Sequence, residues 1–355
     1  MNHTKLTNEA ITLLKQLIET PSFSSEEEGT AIHIENWFLQ HNIPFKRTNN
    51  NIWATNLHFE ESKPTLLLNS HHDTVQPNNG YTKNPFKAII ENGKLYGLGS
   101  NDAGGCLVSL IATFTYFYHQ PNLKYNLVIV ASAEEESSGE NGLNSMLSII
   151  PKIDVAIVGE PTLMQLAIAE KGLLVFDAIV TGTPSHAAHL NTDNAIYNTI
   201  KVLQWFQEYT FKKTSAILGD VKMTVTQINA GKQHNAVPAN VHLVVDVRVN
   251  DAYTNKEIVS ILQKESPCTS IIPRSLRLNS SSIPKEHPLV QAGIALGRKT
   301  YGSPTLSDQA VLSCPSVKLG PGDSSRSHTA DEFIYIEEIE EGIKIYIELL
   351  KKLVY

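Results

Sequence analysis

The sequence predicts an α/β protein, a mostly parallel sheet covered by helices, with a ferredoxin-like α+β unit inserted into it. Three observations carry this. Short, near-continuous apolar runs alternate with helical stretches through the first half of the chain, as suits strands buried on both faces. At about Gly172 the order changes to β-α-β-β-α-β, and after Ser280 helix and strand alternate again to Tyr355. The expected organisation is therefore 1–172 and 282–355 as two parts of one domain, with 173–281 inserted between them.

Leu6 to Glu19 carries Ile11, Leu14, Leu17 and Ile18 at helical spacing, and Pro21 forces a stop. Ser25 and Glu28 form a capping-box pattern ahead of Ile32, Ile34, Trp37 and Phe38, which starts a second helix at Ser25. The runs Thr65–Asn69, Leu127–Ala131 and Val155–Gly159 read as buried strands, and an apolar helix continues from Cys106 through Leu107–Tyr118. In the inserted unit, Leu173–Thr181, Met223–Ile228, Val241–Val249 and Ser275–Leu278 read as strands. Asp193–Phe211 and Asn255–Glu265 read as its helices. Along Val241–Val249, Val241, Leu243, Val245 and Val247 point one way while His242, Asp246 and Arg248 point the other, so one face is core and the other is free for a ligand.

Composition narrows the function. The 355 residues are 41% apolar and 18% charged, with a net charge of −7 and no clustering of Lys and Arg, which argues against nucleic acid as a partner. No stretch of about 18 apolar residues suggests a membrane span, and Met1 to Pro21 does not read as a signal peptide. Cys106, Cys268 and Cys314 are widely spaced, which suggests neither a disulfide framework nor a thiolate metal site. A reducing cytoplasm is the expected compartment.

The chemistry lies where the strands end. Thr65–Asn69 runs into Ser70-His71-His72-Asp73, Leu127–Ala131 into Glu134-Glu135-Glu136, and Val155–Gly159 into Glu160-Pro161. Asp102 opens the apolar helix. Taken singly, these read as a polar strand end, a solvated acidic turn, a loop carboxylate and an N-cap. Together they aim His and carboxylate from four segments at the carboxyl edge of one sheet, where ligand crevices form. Such ligands without thiolate suit zinc, cobalt or manganese.

The motifs S-H-H-D-T-V, Y-G-L-G-S-N-D-A-G-G, A-E-E-E, V-G-E-P-T, G-T-P-S-H and G-P-G-D-S-S-R-S-H-T-A-D-E run from Leu66 to Glu332. In this order they resemble the co-catalytic zinc family of aminoacylases, acetylornithine deacetylases, succinyl-diaminopimelate desuccinylases and glutamate carboxypeptidases. The resemblance implies a zinc-peptidase-like catalytic domain and two divalent ions per subunit, Zn2+ with Co2+ as a substitute. His71, Asp102 and Glu160 would hold one ion; Asp102, Glu136 and His328 would hold the other, with Asp102 bridging. Asp73 would orient His71, and Glu135 would be the general base. Relatives usually have Asp-Glu-Glu where this chain has Glu134-Glu135-Glu136, and the last two are taken as the pair; a register shifted by one is the alternative. The resemblance also implies a cis peptide after Asp102. His186 would serve as an oxyanion donor reaching the other subunit of a homodimer formed through the inserted domain, against a purely structural role. Asn235, Pro238 and Arg248 resemble substrate-carboxylate contacts, the alternative for Arg248 being a pair with Asp246. Asp308 and Arg326 are candidates for reading the substrate side chain.

The function so implied is hydrolysis of a small N-acyl amino acid, N2-acetylornithine in arginine biosynthesis first. N-acetylcitrulline and N-succinyl analogues are the alternatives in the same class. A dipeptidase or carboxypeptidase of the same family, and a catalytically silent scaffold, are the competing readings.

Overall fold

The computed structural model describes residues 3–355. The chain divides into two compact units, one of Met1–Ile168, Ser282–Tyr301 and Ser307–Tyr355, the other of Ala169–Ser281 and Gly302–Leu306.

The first unit is built on a mixed sheet. Its centre is parallel: Asn126–Ser132, Thr65–His71, Val155–Val158 and Ser316–Lys318 lie side by side in that order. The flanks are antiparallel, with Asn51–Thr55 on Asn126–Ser132 at one side and Leu166–Glu170 next to Ser316–Lys318 at the other. Every residue of Thr65–His71 and Asn126–Ser132 is buried, as the continuous apolar runs require. The helix Gly105–Phe117 is buried almost all round. Its Leu107, Val108 and Phe114 share one core with Leu14 of the helix His3–Glu19 and with Ile343 and Leu350 of the helix Ile336–Val354. Because the central strands are parallel and in register, with His71 opposite Ser132 and Asn69 opposite Val158, their carboxyl ends open on one rim.

The second unit is a four-stranded antiparallel sheet in the order Lys222–Ala230, Asn240–Val249, Gly172–Thr181, Ser270–Pro273, with the helices Ala195–Glu208 and Asn255–Glu265. That is the ferredoxin-like order. Val241, Leu243, Val245 and Val247 are buried in its core while their neighbours on the strand are more exposed, as the alternation requires. The helix Asn255–Glu265 starts on a true capping box: Thr254 Oγ1 accepts from the Glu257 N–H at 3.2 Å, and Glu257 Oε2 accepts from the Thr254 N–H at 2.7 Å. Donation to the carboxylate from the Thr254 N–H, Lys213 and the Thr254 hydroxyl holds Glu257 down at about 2. A depressed carboxylate stabilises the fold above its ordinary range and loses that contribution as pH falls toward 2. Thr254→Ala is expected to lower unfolding stability by about 1 kcal/mol, read from urea denaturation at neutral pH.

Three sequence expectations are corrected. Ser25 does not cap a helix; its φ is +74°, the helix begins at Glu28, and the Ser25 hydroxyl donates to Glu134 Oε1 at 2.9 Å. A distant carboxylate outcompetes the local cap. The fourth strand of the second unit is Ser270–Pro273, not Ser275–Leu278. Ile271 is buried there, whereas Leu276 is 38% exposed, so the apolar alternation of Ser275–Leu278 has no face to bury. The helix expected over Asp193–Phe211 spans Ala195–Glu208, because the Asn194 side chain caps it by accepting from the Ile196 N–H at 2.9 Å and Tyr209 turns extended.

Candidate metal centre

His71 ends its strand with a fully buried ring. Nδ1 faces Asp73, at 3.0 Å from its backbone carbonyl and 3.4 Å from Oδ1. A bond on one ring nitrogen fixes the tautomer and directs the other nitrogen outward. Nε2 points at Asp102 Oδ1 (3.4 Å), Glu160 Oε1 (3.8 Å) and Glu135 Oε2 (3.9 Å), buried and without a hydrogen-bond partner. Asp73 does more than orient His71. Its carboxylate accepts from Ser24 Oγ (2.7 Å) and from the backbone N–H groups of Glu135 (3.0 Å) and Glu136 (3.1 Å), so it fixes the loop that carries both.

Asp102 lies in an irregular turn, Ser100–Gly104, ahead of the apolar helix, and the peptide to Ala103 is cis. Its two oxygens face opposite ways: Oδ1 toward His71, Oδ2 toward His328 Nε2 at 3.6 Å. His328 Nε2 also lies 3.0 Å from Glu136 Oε2. The turn is clamped by Glu332, which is buried and accepts from the N–H groups of Gly99 (3.1 Å), Asn101 (2.8 Å) and Asp102 (2.9 Å). On its other side, Asn101 bonds the backbone of Asp323 in both directions at 3.0 Å.

The run of three glutamates is divided by geometry. Glu134 has φ +55°, and its buried carboxylate accepts from Asn141 N (3.0 Å), Asn141 Nδ2 (3.1 Å) and Ser25 Oγ (2.9 Å). Its side chain is thus occupied by Asn141 of its own loop and by the distant Ser25. Glu135 and Glu136 are the pair turned toward the histidines.

The electrostatics describe a site built for a cation. Burial pushes Glu160 up to about 8, helped by the charge of Asp102, and pushes Glu135 well above the usual carboxylate range even with His71 close by. Burial opposes charge on His71, but the nearby carboxylates of Asp102 and Asp73 outweigh that and raise it well above an ordinary imidazole. The bond to Glu136 holds His328 up at about 9. So many carboxylates in a dry site cost heavily unless a cation neutralises them. Two overlapping groups have donor atoms close enough to share an ion: His71, Asp102 and Glu136, and His71, Glu135 and Glu160. The orphaned His71 Nε2, the split Asp102 carboxylate and the all N/O donor set fit divalent metal ions.

The other candidate residues sit in varied settings. In the second unit, His186 is exposed, its Nδ1 accepting from the Ala188 N–H at 3.1 Å. Asn235 is exposed on the neighbouring segment, where its carbonyl accepts from the Ala187 N–H at 2.9 Å, and Pro238 is half-buried beyond it. Arg248 lies on the polar strand face and holds Asp246 of its own strand through Nε and Nη2 at 3.0 and 3.1 Å. In the first unit, Asp308 is buried, accepts from Ser132 Oγ at 2.5 Å, and is pushed up to about 6 by burial. Arg326 makes a two-pronged bond to Glu338 at 2.8 and 2.7 Å beneath Phe333 and Tyr335. Glu332 has no role predicted from the sequence, although the acid pair Asp331-Glu332 so close after His328 is a visible signal. Glu27 has none either; it is buried and accepts from the N–H groups of Ser25 (2.6 Å) and Glu134 (3.1 Å).

Comparison with known proteins gives the family and the fold. The profile of Peptidase family M20/M25/M40 matches residues 67–352. The succinyl-diaminopimelate desuccinylase of Wigglesworthia glossinidia brevipalpis is 28% identical over 72% of this chain and 73% of its own length. The acetylornithine deacetylase of Buchnera aphidicola subsp. Schizaphis graminum is 27% identical over 97% and 98%. Among solved structures, a tripeptidase from Staphylococcus aureus superposes with a TM-score of 0.77 at 19% identity, covering 97% of this chain and 98% of its own. The Bacillus subtilis YXEP protein, a dinuclear metal binding peptidase from the M20 family, superposes with a TM-score of 0.75 at 15% identity over 98% of both chains.

Proposed function

The chain belongs to peptidase family M20/M25/M40, a family of metal-dependent hydrolases, and from that premise we propose that it cleaves the amide bond of an N-acyl amino acid, N2-acetylornithine first among candidates. The observation that carries the reading is Asp102, whose two oxygens face His71 and His328 with Glu135 alongside. In this reading His71, Asp102 and Glu160 hold one zinc ion, and Asp102, Glu136 and His328 the other. When bound, the pair supplies Lewis acidity at the scissile carbonyl and makes water more acidic. Glu135 takes the proton of the attacking water and returns it to the leaving amine nitrogen. Asp73 keeps Glu135 within reach by holding its backbone N–H. Arg248, released from Asp246, and Asn235 recognise the substrate carboxylate, for which a guanidinium fork is suited. Asp308 and Arg326 have a weaker claim as side-chain readers, since each already holds a protein partner.

His186 is the donor to the tetrahedral oxyanion, supplied by one copy to the site of the other in a homodimer. Exposed Leu190, Tyr197 and Ile200 on the second unit support such an interface. Among the described residues no helix is long and apolar enough to cross a membrane. The cytoplasm is the proposed compartment, and arginine biosynthesis the proposed setting.

Succinyl substrates form a second reading, because relatives named for desuccinylation match as well as those named for deacetylation. The test is a panel of N-acetylornithine, N-acetylcitrulline, their succinyl counterparts, N-acetylmethionine and a dipeptide, assayed with the zinc- or cobalt-loaded protein. We expect N-acetylornithine to give the highest kcat/KM, by about tenfold or more, since a site built to bond a polar group rejects analogues lacking it strongly. A succinyl substrate in first place moves the assignment to the second reading; a dipeptide in first place ends the deacylase reading.

A further inference from the structure

We propose that Glu332 is a positioning residue that sets the placement of the bridging carboxylate Asp102 relative to His328. Glu332 sits four positions after His328, beyond a bend in which His328 and Asp331 have φ of +58° and +52°. Its side chain is 2% exposed and accepts three N–H groups of the turn leading to Asp102, Oε1 taking those of Asn101 and Asp102 and Oε2 that of Gly99. Its backbone carbonyl accepts a fourth, from Gly97 at 3.0 Å. Gly97 has φ +148°, and a Cβ there would lie 2.2 Å from Ile18, so the backbone that Glu332 grips at this point approaches Ile18 as only glycine allows. One residue therefore ties the segment carrying His328 to the segment carrying Asp102, whose Oδ2 lies 3.6 Å from that histidine. The preceding Asp331 has a different target: it accepts from the N–H groups of Thr82 and Lys83, both at 2.8 Å, in a loop that holds no candidate ligand. Two adjacent acids thus make similar backbone clamps, and only one grips a metal-ligand turn.

Glu332→Gln keeps the shape but turns an amide NH2 toward an N–H of that turn. The inference rests on the two-metal reading above, so wild type, Glu332→Gln, Glu332→Asp and Asp331→Asn are compared as metal-stripped proteins. Each is titrated with zinc by calorimetry, and the cobalt absorption spectrum and thermal midpoint are recorded. We expect Glu332→Gln to weaken at least one zinc-binding step by about 10- to 100-fold and to change the cobalt spectrum, as loss of a partner behind a ligand does. Glu332→Asp, which keeps the carboxyl group but shortens the reach, is expected to fall between it and wild type, and it serves as the probe if the Gln variant does not fold. Asp331→Asn is expected to lower the thermal midpoint with wild-type zinc affinities and spectrum. If the Glu332 variants lose only thermal stability while both zinc affinities and the cobalt spectrum stay wild-type, Glu332 is a structural clamp and the proposal fails. If wild type itself takes up no zinc or cobalt, the two-metal reading fails first.

Discussion

Glu135→Gln is expected to lower kcat by about 10²- to 10⁴-fold while the protein keeps its full complement of metal. The substitution preserves the shape of the side chain and removes only its capacity to take a proton. The backbone of Glu135 is fixed independently of its carboxylate, through the N–H bond to Asp73, so the loop should not move. Burial raises the Glu135 carboxyl well above its usual range, the direction that suits a carboxylate which must both accept and return a proton. The measurement is kcat on the best substrate of the panel, beside metal analysis of the same sample. Loss of metal together with activity would instead make Glu135 a ligand, a role that its approach to His71 and Glu160 also permits. Glu134→Gln is the internal control. Its carboxylate is taken up by Asn141 and Ser25, so the variant should keep kcat within a few-fold and lower stability by about 1–3 kcal/mol through a spoiled buried acceptor.

What the sequence made legible, and what it did not, follows from the range over which each feature is decided. The central strands were readable because burial on both faces demands an uninterrupted apolar run, a local property of segments such as Leu127–Ala131. The candidate ligands could be picked out because His and carboxylates stand at the ends of those runs, and parallel order brings the ends to one rim. Ser25 was misread because its partner, Glu134, lies 109 positions away and no window around Ser25 contains it. Within Glu134-Glu135-Glu136 the choice of the last two rested on the family resemblance alone, since the local sequence shows neither the left-handed backbone at Glu134 nor Asp73 gripping the next two amides. Glu332 escaped for a related reason: a carboxylate that accepts only backbone N–H groups leaves no complementary side chain to notice. Ser275–Leu278 misled in the opposite sense, its alternation being genuine while the sheet had already closed at Pro273.

Replacing Asp102 should show whether the site is one shared centre or two neighbouring ones. If a single carboxylate bridges two ions, Asp102→Ala removes a ligand from both, whereas His328→Ala removes one from the second ion alone. The spacing supports sharing, because His71 and His328 approach opposite oxygens of Asp102 at 3.4 and 3.6 Å rather than crowding the same one. We therefore expect Asp102→Ala to retain less than one ion per chain after gel filtration and to show only background hydrolysis. His328→Ala should retain about one, since His71, Glu160 and Asp102 remain for the first position. Zinc at about 100-fold over its dissociation constant stabilises a protein by about 2.7 kcal/mol for each site, so the thermal midpoint should rise strongly for wild type on adding zinc, partly for His328→Ala, and hardly at all for Asp102→Ala. If Asp102→Ala instead holds one ion as tightly as His328→Ala does, the carboxylate serves a single ion. Its second oxygen would then be a hydrogen-bond acceptor for His328, and the catalytic water would have to be activated by one metal and Glu135 alone.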